Sequence, residues 1–404
     1  MWGYLLRISG ILIAATVLLL VSVCAVVNAA WGYDVAYTIP FPADYGYSID
    51  GYAVLYGATE NNTGYVALLR PDFSEIEIYE LGPLETVSTV DVLGDLLAAG
   101  GYYGDNAVLY LVDRVSGSVK SYVYEGVAGY GADVWSIAFS GSYLYVYIYD
   151  YYKYQGYLLT FDANLNIVSN ITDFTSVHRV DGSDKLLLLL DGNGRLYLAD
   201  GSRGFLNILL DFEVSNVGYV IGLYVHEENA VYVAYGVGGT ERSVGYLAKV
   251  DLATLKAVFT RELGVYDYGW FTHIARTPEG LYIVRWSHDL GWAGVGYRVM
   301  FKGTGIEVWQ EAIPCWSIGY FIVDNGTEYI IAAPESVSYY EVLRYVNILP
   351  VTTITVTNVL HRYETETATL STTLTQPAYT ASDYAISAVL AFLVGLTLVT
   401  VLRH

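Results

Sequence analysis

The segment Trp135-Ser136-Ile137-Ala138-Phe139-Ser140-Gly141-Ser142-Tyr143-Leu144-Tyr145-Val146-Tyr147-Ile148-Tyr149 holds two apolar runs around a Ser140-Gly141 turn, and the second run alternates tyrosine with aliphatic residues. Alternation at period two marks a strand whose successive side chains point to opposite faces. One face from Tyr143 to Tyr149 is therefore all phenol and the other all aliphatic. Both faces call for cover, and each covered hydroxyl needs a partner, because an unmade buried hydrogen bond costs about 1–3 kcal/mol. A face turned towards carbohydrate is the alternative use of so many rings. A third apolar strand opens at Gly156-Tyr157 and closes at Asp162, and a further strand follows, so the unit is four short strands joined by turns.

The third strand of this unit recurs along the chain. A small residue opens it, often with Tyr next, and six positions later stands Asp, Arg or Lys. The instances are Gly64 to Arg70, Ala107 to Asp113, Gly156 to Asp162, Gly194 to Asp200, Gly245 to Asp251, Gly296 to Lys302 and Ser338 to Arg344. Their spacings of 43, 49, 38, 51, 51 and 42 residues predict an all-β fold, a seven-bladed β-propeller over residues 30–350. The seventh unit runs into Pro350 without an outer strand of its own, whereas Asp34-Val35-Ala36-Tyr37-Thr38-Ile39 precedes the first unit. That N-terminal strand is expected to complete the seventh blade and protect the sheet edges.

Two stretches, Val112-Asp113-Arg114-Val115-Ser116-Gly117-Ser118-Val119 and Val250-Asp251-Leu252-Ala253-Thr254-Leu255-Lys256-Ala257-Val258, resemble the blade signature of the YVTN, NHL and quinoprotein-like family of seven-bladed propellers. The resemblance covers nearly all of residues 34 to 346 and implies architecture rather than activity, since such propellers host enzymes, lectins and scaffolds. The adjacent cysteines and basic pocket of quinone-binding members are absent, so no cofactor is expected.

The ends differ in character from the repeats. Ile8 to Val27 is almost unbroken apolar sequence behind Arg7 and before Val27-Asn28-Ala29, which predicts a signal peptide over residues 1–29. An uncleaved anchor is the alternative. Tyr384 to Leu402 is an uncharged apolar run between Asp383 and Arg403-His404, long enough for a transmembrane helix in residues 383–404. Its basic end is expected to stay in the cytoplasm. Residues 351–382 are rich in threonine and contain Pro377, the composition of an extended stalk, though the part up to about Leu360 is also a candidate strand. In its order of segments the chain is similar to archaeal cell-surface proteins, and the expected location is the cell surface with the propeller extracellular.

Cys24 falls in the signal, which leaves Cys315 as the one cysteine of the mature chain and excludes an intrachain disulfide. Asn61, Asn170 and Asn325 open N-glycosylation triplets that suit an exposed domain. The formal charge of −21, from 41 acidic and 20 basic residues, argues against nucleic acid as a partner. It favours solubility or a cationic ligand.

Candidates for chemistry are few. Tyr47, Trp135, Tyr219, Phe271 and Trp316 start five of the opening strands, which places them as an aromatic collar at one mouth of the channel, either stacking on a ligand or plugging the mouth. The sixth unit concentrates Trp270, His273, Arg276, Arg285, Trp286, His288, Asp289 and Trp292, the last three in a Gly-rich connection. His288, Asp289 and His273 match no standard metal spacing, and no metal site is expected. Asp181-Gly182-Ser183-Asp184 and Asp191-Gly192-Asn193-Gly194 look oxygen-rich, but Asp-Gly and Asn-Gly pairs between strands are first of all hairpin turns. No nucleophile triad is visible, so the sequence points to a non-catalytic module that recognises a glycan, a peptide or an envelope protein. A hydrolase or lyase with paired carboxylates in the channel is the alternative.

Overall fold

The computed structural model describes residues 33–375 apart from 43–44, 50–51, 71–75, 239–241, 267–268, 288–292, 303–304, 314–317, 323–327, 333–338, 346–352 and 361–367. The expected signal and membrane anchor lie outside the described residues, as do Cys315, Trp316, Asn325, His288, Asp289 and Trp292. Among the described residues no helix is long and apolar enough to cross a membrane.

Among the described residues, seven four-stranded sheets account for most of the strands. The first comprises Tyr45–Ile49, Tyr52–Ala58, Thr63–Leu69 and Ile76–Pro83, and the second Thr86–Leu93, Leu96–Tyr103, Asn106–Asp113 and Ser118–Tyr124. The third comprises Ala132–Ser140, Tyr143–Asp150, Gln155–Phe161 and Ile167–Ile171, and the fourth Phe174–Arg179, Leu186–Asp191, Leu196–Asp200 and Asn207–Asp211. The fifth comprises Val217–Val225, Ala230–Gly238, Ser243–Asp251 and Lys256–Tyr266, and the sixth Gly269–Thr277, Gly280–Ser287, Ala293–Lys302 and Gly305–Ile313. In these six the strands pair in chain order. The last sheet takes Ile318–Ile322, Glu328–Ala332 and Tyr339–Tyr345 from the C-terminal side and Tyr33–Pro42 from the N-terminal side, with the N-terminal strand on its edge.

The repeated Asp and Gly have local causes. Asp113 Oδ1 accepts the backbone N–H groups of Val115 and Ser116 at 3.0 and 2.9 Å, and Gly117, at φ +69°, closes the turn by donating to the Asp113 carbonyl. Asp162 holds Asn164 and Asn166 in the same way, and Asp251 holds Thr254. For Asp162 the Asn166 side-chain amide first, and then these N–H bonds, pull the carboxyl below the ordinary value, and the N–H bonds do the same at Asp113 and Asp251. Their charge serves the turn between the third and fourth strands of a sheet. Gly156, the second residue of its strand, leaves room for Tyr147, whose hydroxyl a Cβ there would strike.

The alternation in Tyr143–Asp150 becomes packing between sheets. Its aliphatic face, Leu144, Val146 and Ile148, joins Leu109 and Leu111 of the preceding sheet, whereas Tyr145 and Tyr147 join Leu187 and Leu189 of the following one. The Tyr145 hydroxyl donates to the Gly201 carbonyl at 2.8 Å. Burial raises its pKa, so it stays a neutral donor. Each opening strand from the second sheet onward contacts the opening strand of the next sheet, and Ile318–Ile322 of the last sheet contacts Tyr45–Ile49 of the first.

The Thr-rich segment forms a separate element. Thr353–Leu360 pairs antiparallel with Ala368–Thr375, Thr355 opposite Thr373. The local conformation is extended, as the sequence suggests, but the two segments pair with each other instead of running singly, consistent with the strand preference of β-branched threonine.

Candidate functional site

The opening strands differ at their two ends. At the leading end, where each strand begins, the pairing with the second strand slips by one residue in five sheets, skipping Ser88, Trp135, Thr175, Gly218 and Thr272. Each slip is a β-bulge, which re-aims one side chain and increases the local twist. Four of the bulged residues are Ser, Thr, Gly and Thr, and Thr175 Oγ1 donates to the Asp191 carbonyl at 3.0 Å. The third sheet has an indole in that place.

Trp135 stacks on Tyr149 with ring centroids 4.7 Å apart and planes at 23°, and its Nε1 donates to the Tyr151 hydroxyl at 3.2 Å. Its side chain nevertheless stays 48% exposed. Tyr219, just after the bulge of the fifth sheet, is 43% exposed. Both line a cavity of about 580 Å³ that also touches the fourth sheet through Thr175, Ser176, His178 and Asp191. Phe271 departs from the expected collar: it precedes its bulge by one residue, pairs with Arg285, and is buried with Ile274, Leu263 and Leu247. Tyr47 pairs with Val54 in the first sheet.

Within the cavity Ser176 Oγ and His178 Nε2 lie 2.5 Å apart. They sit two positions apart on Phe174–Arg179 and so share a face. Burial lowers the imidazole to about 4, so it is neutral at pH 7. The one acidic side chain on the lining, among the described residues, is Asp191, whose Oδ1 accepts the N–H groups of Asn193 and Arg195 and whose Oδ2 accepts the Tyr197 hydroxyl at 3.2 Å. That carboxylate braces its own turn and the strand after it. The Ser–His pair was not visible as a site in the sequence. Its one signal was the Ser-x-His spacing on a strand.

Beside the cavity, between the second and third sheets, Asp133 accepts from Ser88 Oγ at 3.1 Å. Burial pushes its carboxyl up to about 6 against the pull of the Ser88 hydroxyl and the Val134 N–H.

The trailing end is closed by ion pairing. Arg179, the last residue of its opening strand, donates from Nε to Asp91 Oδ1 and Oδ2 at 3.1 and 3.2 Å, with 2% of each side chain exposed. Further Arg179 nitrogens reach the Ser183 and Val92 carbonyls at 3.2 and 2.9 Å. Asp91 also accepts the N–H groups of Phe139 and Val92 at 2.7 and 2.8 Å. Burial drives the Asp91 carboxyl upward, and Arg179 and these N–H groups pull it back. The opening strands of the second, third and fourth sheets are thus tied together around one carboxylate.

The remaining expected candidates scatter. His273 and Arg285 are buried in the sixth sheet, where His273 pairs with Val284. Arg276 is exposed and bridges to Glu228 at 3.1 Å. Trp270 pairs with Trp286 along the first two strands of that sheet. Among the described residues no group of three His, Cys, Asp or Glu is placed to hold a metal. Asp181 sits in the turn after Phe174–Arg179 and forms a parallel bridge with Leu223 of the next opening strand, the turn role its sequence suggests. Asn61 is at an exposed turn, and Asn170 is exposed on Ile167–Ile171.

No family model matches the chain, and no curated protein matches it. Solved structures do. The β-propeller domain of Cps50 (Swd1) from Myceliophteria thermophila is 11% identical over 76% of this chain and 99% of its own, with a TM-score of 0.50. BamB from Moraxella catarrhalis is 14% identical over 78% and 100%, with a TM-score of 0.43. The WD40 β-propeller domain of Doa1 is 14% identical over 77% and 97%, with a TM-score of 0.45. At such identities the likeness speaks to fold alone: the chain is an all-β, propeller-like repeat protein.

Proposed function

We propose that the chain is a membrane-anchored extracellular β-propeller acting as a binding or surface-assembly module, its ligand a glycan, a peptide or an envelope protein. The observation that carries this reading is Trp135: a large indole, held by Tyr149 and Tyr151, left half exposed at a cavity where the equivalent bulges of other sheets carry small residues. Exposed, rigidly held aromatics supply contact area at low entropic cost. The apolar runs Ile8 to Val27 and Tyr384 to Leu402 support export and anchoring. The contacts that return from the last sheet to the first, with Tyr33–Pro42 on the last sheet's edge, support a ring of seven blades. The signatures at Asp113 and Asp251 support the YVTN, NHL and quinoprotein-like kinship. Crosslinking and pull-down from intact cells tests the reading: a partner recovered with the natural chain and lost with Trp135→Ala upholds it, and a partner set indifferent to Trp135 overturns this placement of the site.

The hydrolase alternative gains one observation, the 2.5 Å contact of Ser176 Oγ with His178 Nε2. Two features weigh against it. Among the described residues no carboxylate orients His178, and an imidazole lowered to about 4 is a weak general base. Labelling of Ser176 by a fluorophosphonate would revive the alternative.

A further inference from the structure

We propose that the cavity edged by Trp135 and Tyr219 takes a neutral saccharide, with one pyranose ring stacked on the exposed indole face. The proposal rests on the binding-module reading and narrows its ligand class. The first argument is charge. The chain carries −21, yet among the described residues the cavity lining holds no Lys, Arg or Glu, and Asp191 already accepts three hydrogen bonds from its turn and the strand after it. An acidic ligand buried there would meet no cationic side chain among the described lining residues, and an unpaired buried ion is strongly unfavourable.

The second argument is the pairing of surface types. A sugar ring presents an apolar C–H face and an edge of hydroxyls that both donate and accept. Trp135 offers a flat apolar platform whose orientation is set from behind by Tyr149 and at its edge by Tyr151. Around it stand the hydroxyls of Ser136, Thr175, Ser176 and Ser243; Thr175 already donates to the Asp191 carbonyl and Ser176 is paired with His178, but both keep acceptor capacity. Ser136 Oγ already accepts from the Val177 N–H at 3.1 Å, which leaves its proton to donate into the cavity.

The third argument is shape. At about 580 Å³ the cavity lies within the range of ligand sites, roughly 300–1,000 Å³. Part of its wall is bare backbone at Gly218 and Gly236, where a Cβ would meet nothing within 4 Å. A ligand can therefore approach the main chain closely, and a side chain added at Gly218 would occupy ligand space without a clash.

The test uses the full-length chain in detergent on an array of neutral and acidic oligosaccharides, followed by titration calorimetry. The expected result is binding to a subset of neutral glycans and none to acidic ones. Trp135→Ala should weaken binding at least tenfold, Trp135→Phe should restore most of it, and Gly218→Leu should abolish it with an unchanged melting temperature. Binding confined to acidic glycans overturns the proposal. Absence of glycan binding, with a protein or peptide partner that both Trp135→Ala and Gly218→Leu release, overturns the saccharide class and leaves the binding module standing. Indifference of every ligand to both variants overturns the two together.

Discussion

The leading and trailing ends of the opening strands meet opposite demands with the same backbone. At the trailing end Asp91 and Arg179 fill the space with charge and satisfy it internally, through two backbone N–H groups and two carbonyls. At the leading end the bulges at Ser88, Trp135, Thr175, Gly218 and Thr272 leave the strands irregular, and an aromatic side chain remains half exposed. On the proposed reading, the contrast separates stability at the trailing end from recognition at the leading end. A buried ion pair held by several hydrogen bonds rigidifies its surroundings and offers a ligand nothing, whereas a bulge with an exposed ring gives up local regularity and offers a surface.

The proposed ring of seven blades would join both ends, so the harshest way to break the comparison is to open it. Deleting residues 31–41 removes most of Tyr33–Pro42 from the last sheet and should lower the melting temperature by well over 10 °C in scanning calorimetry. An unchanged curve would refute closure by this strand. The trailing end comes next. Arg179→Met strands the buried Asp91 carboxylate and should lose about 3–5 kcal/mol in urea denaturation. Adding Asp91→Asn to that variant should recover part of the loss, because the uncompensated charge is gone. A loss under 1 kcal/mol for the single change would mean that the trailing end is wet.

Asp133 at the leading end gives a smaller effect with a definite sign. Its folded pKa of about 6 exceeds the unfolded value of 3.8, so the folded state binds the proton more tightly. The associated stability is complete below the unfolded value and is lost as pH rises from there through about 6. Asp133→Asn should therefore stabilise the fold by about 1–3 kcal/mol at pH 8 and change little at pH 4, as read from denaturation midpoints at the two pH values. The smallest effect belongs to Trp135→Ala, which should cost about 1 kcal/mol of stability, the worth of an aromatic stack. A much larger loss would make Trp135 a structural plug and erase the difference between the ends.

How much of this was readable from residues alone follows from how local each signal is. The third strands announce themselves because Asp113, Asp162 and Asp251 cap turns within a few residues, and the tyrosine alternation declares both of its faces. The N-terminal strand's place on the last sheet followed from counting strands. The collar was legible only in part. A bulge shifts the register by one residue without marking the sequence, so Trp135, Tyr219 and Phe271 look equivalent in the chain but stand at, after and before their bulges. Asp91 and Arg179 are 88 positions apart, and neither residue carries a mark that selects the other. Ser176 and His178 escaped notice because a Ser-x-His on a strand becomes a site only when a cavity opens beside it.

The Asp91–Arg179 pair joins the second sheet to the fourth and passes over the third, which contributes the Phe139 N–H. Repeat proteins change length by gaining or losing whole units, since each unit normally contacts only its neighbours. Here excision of the third repeat, or insertion of another beside it, would part a carboxylate from its guanidinium in the dry interior. The pair thus acts as a counting device, which penalises any change in the number of repeats between residues 91 and 179.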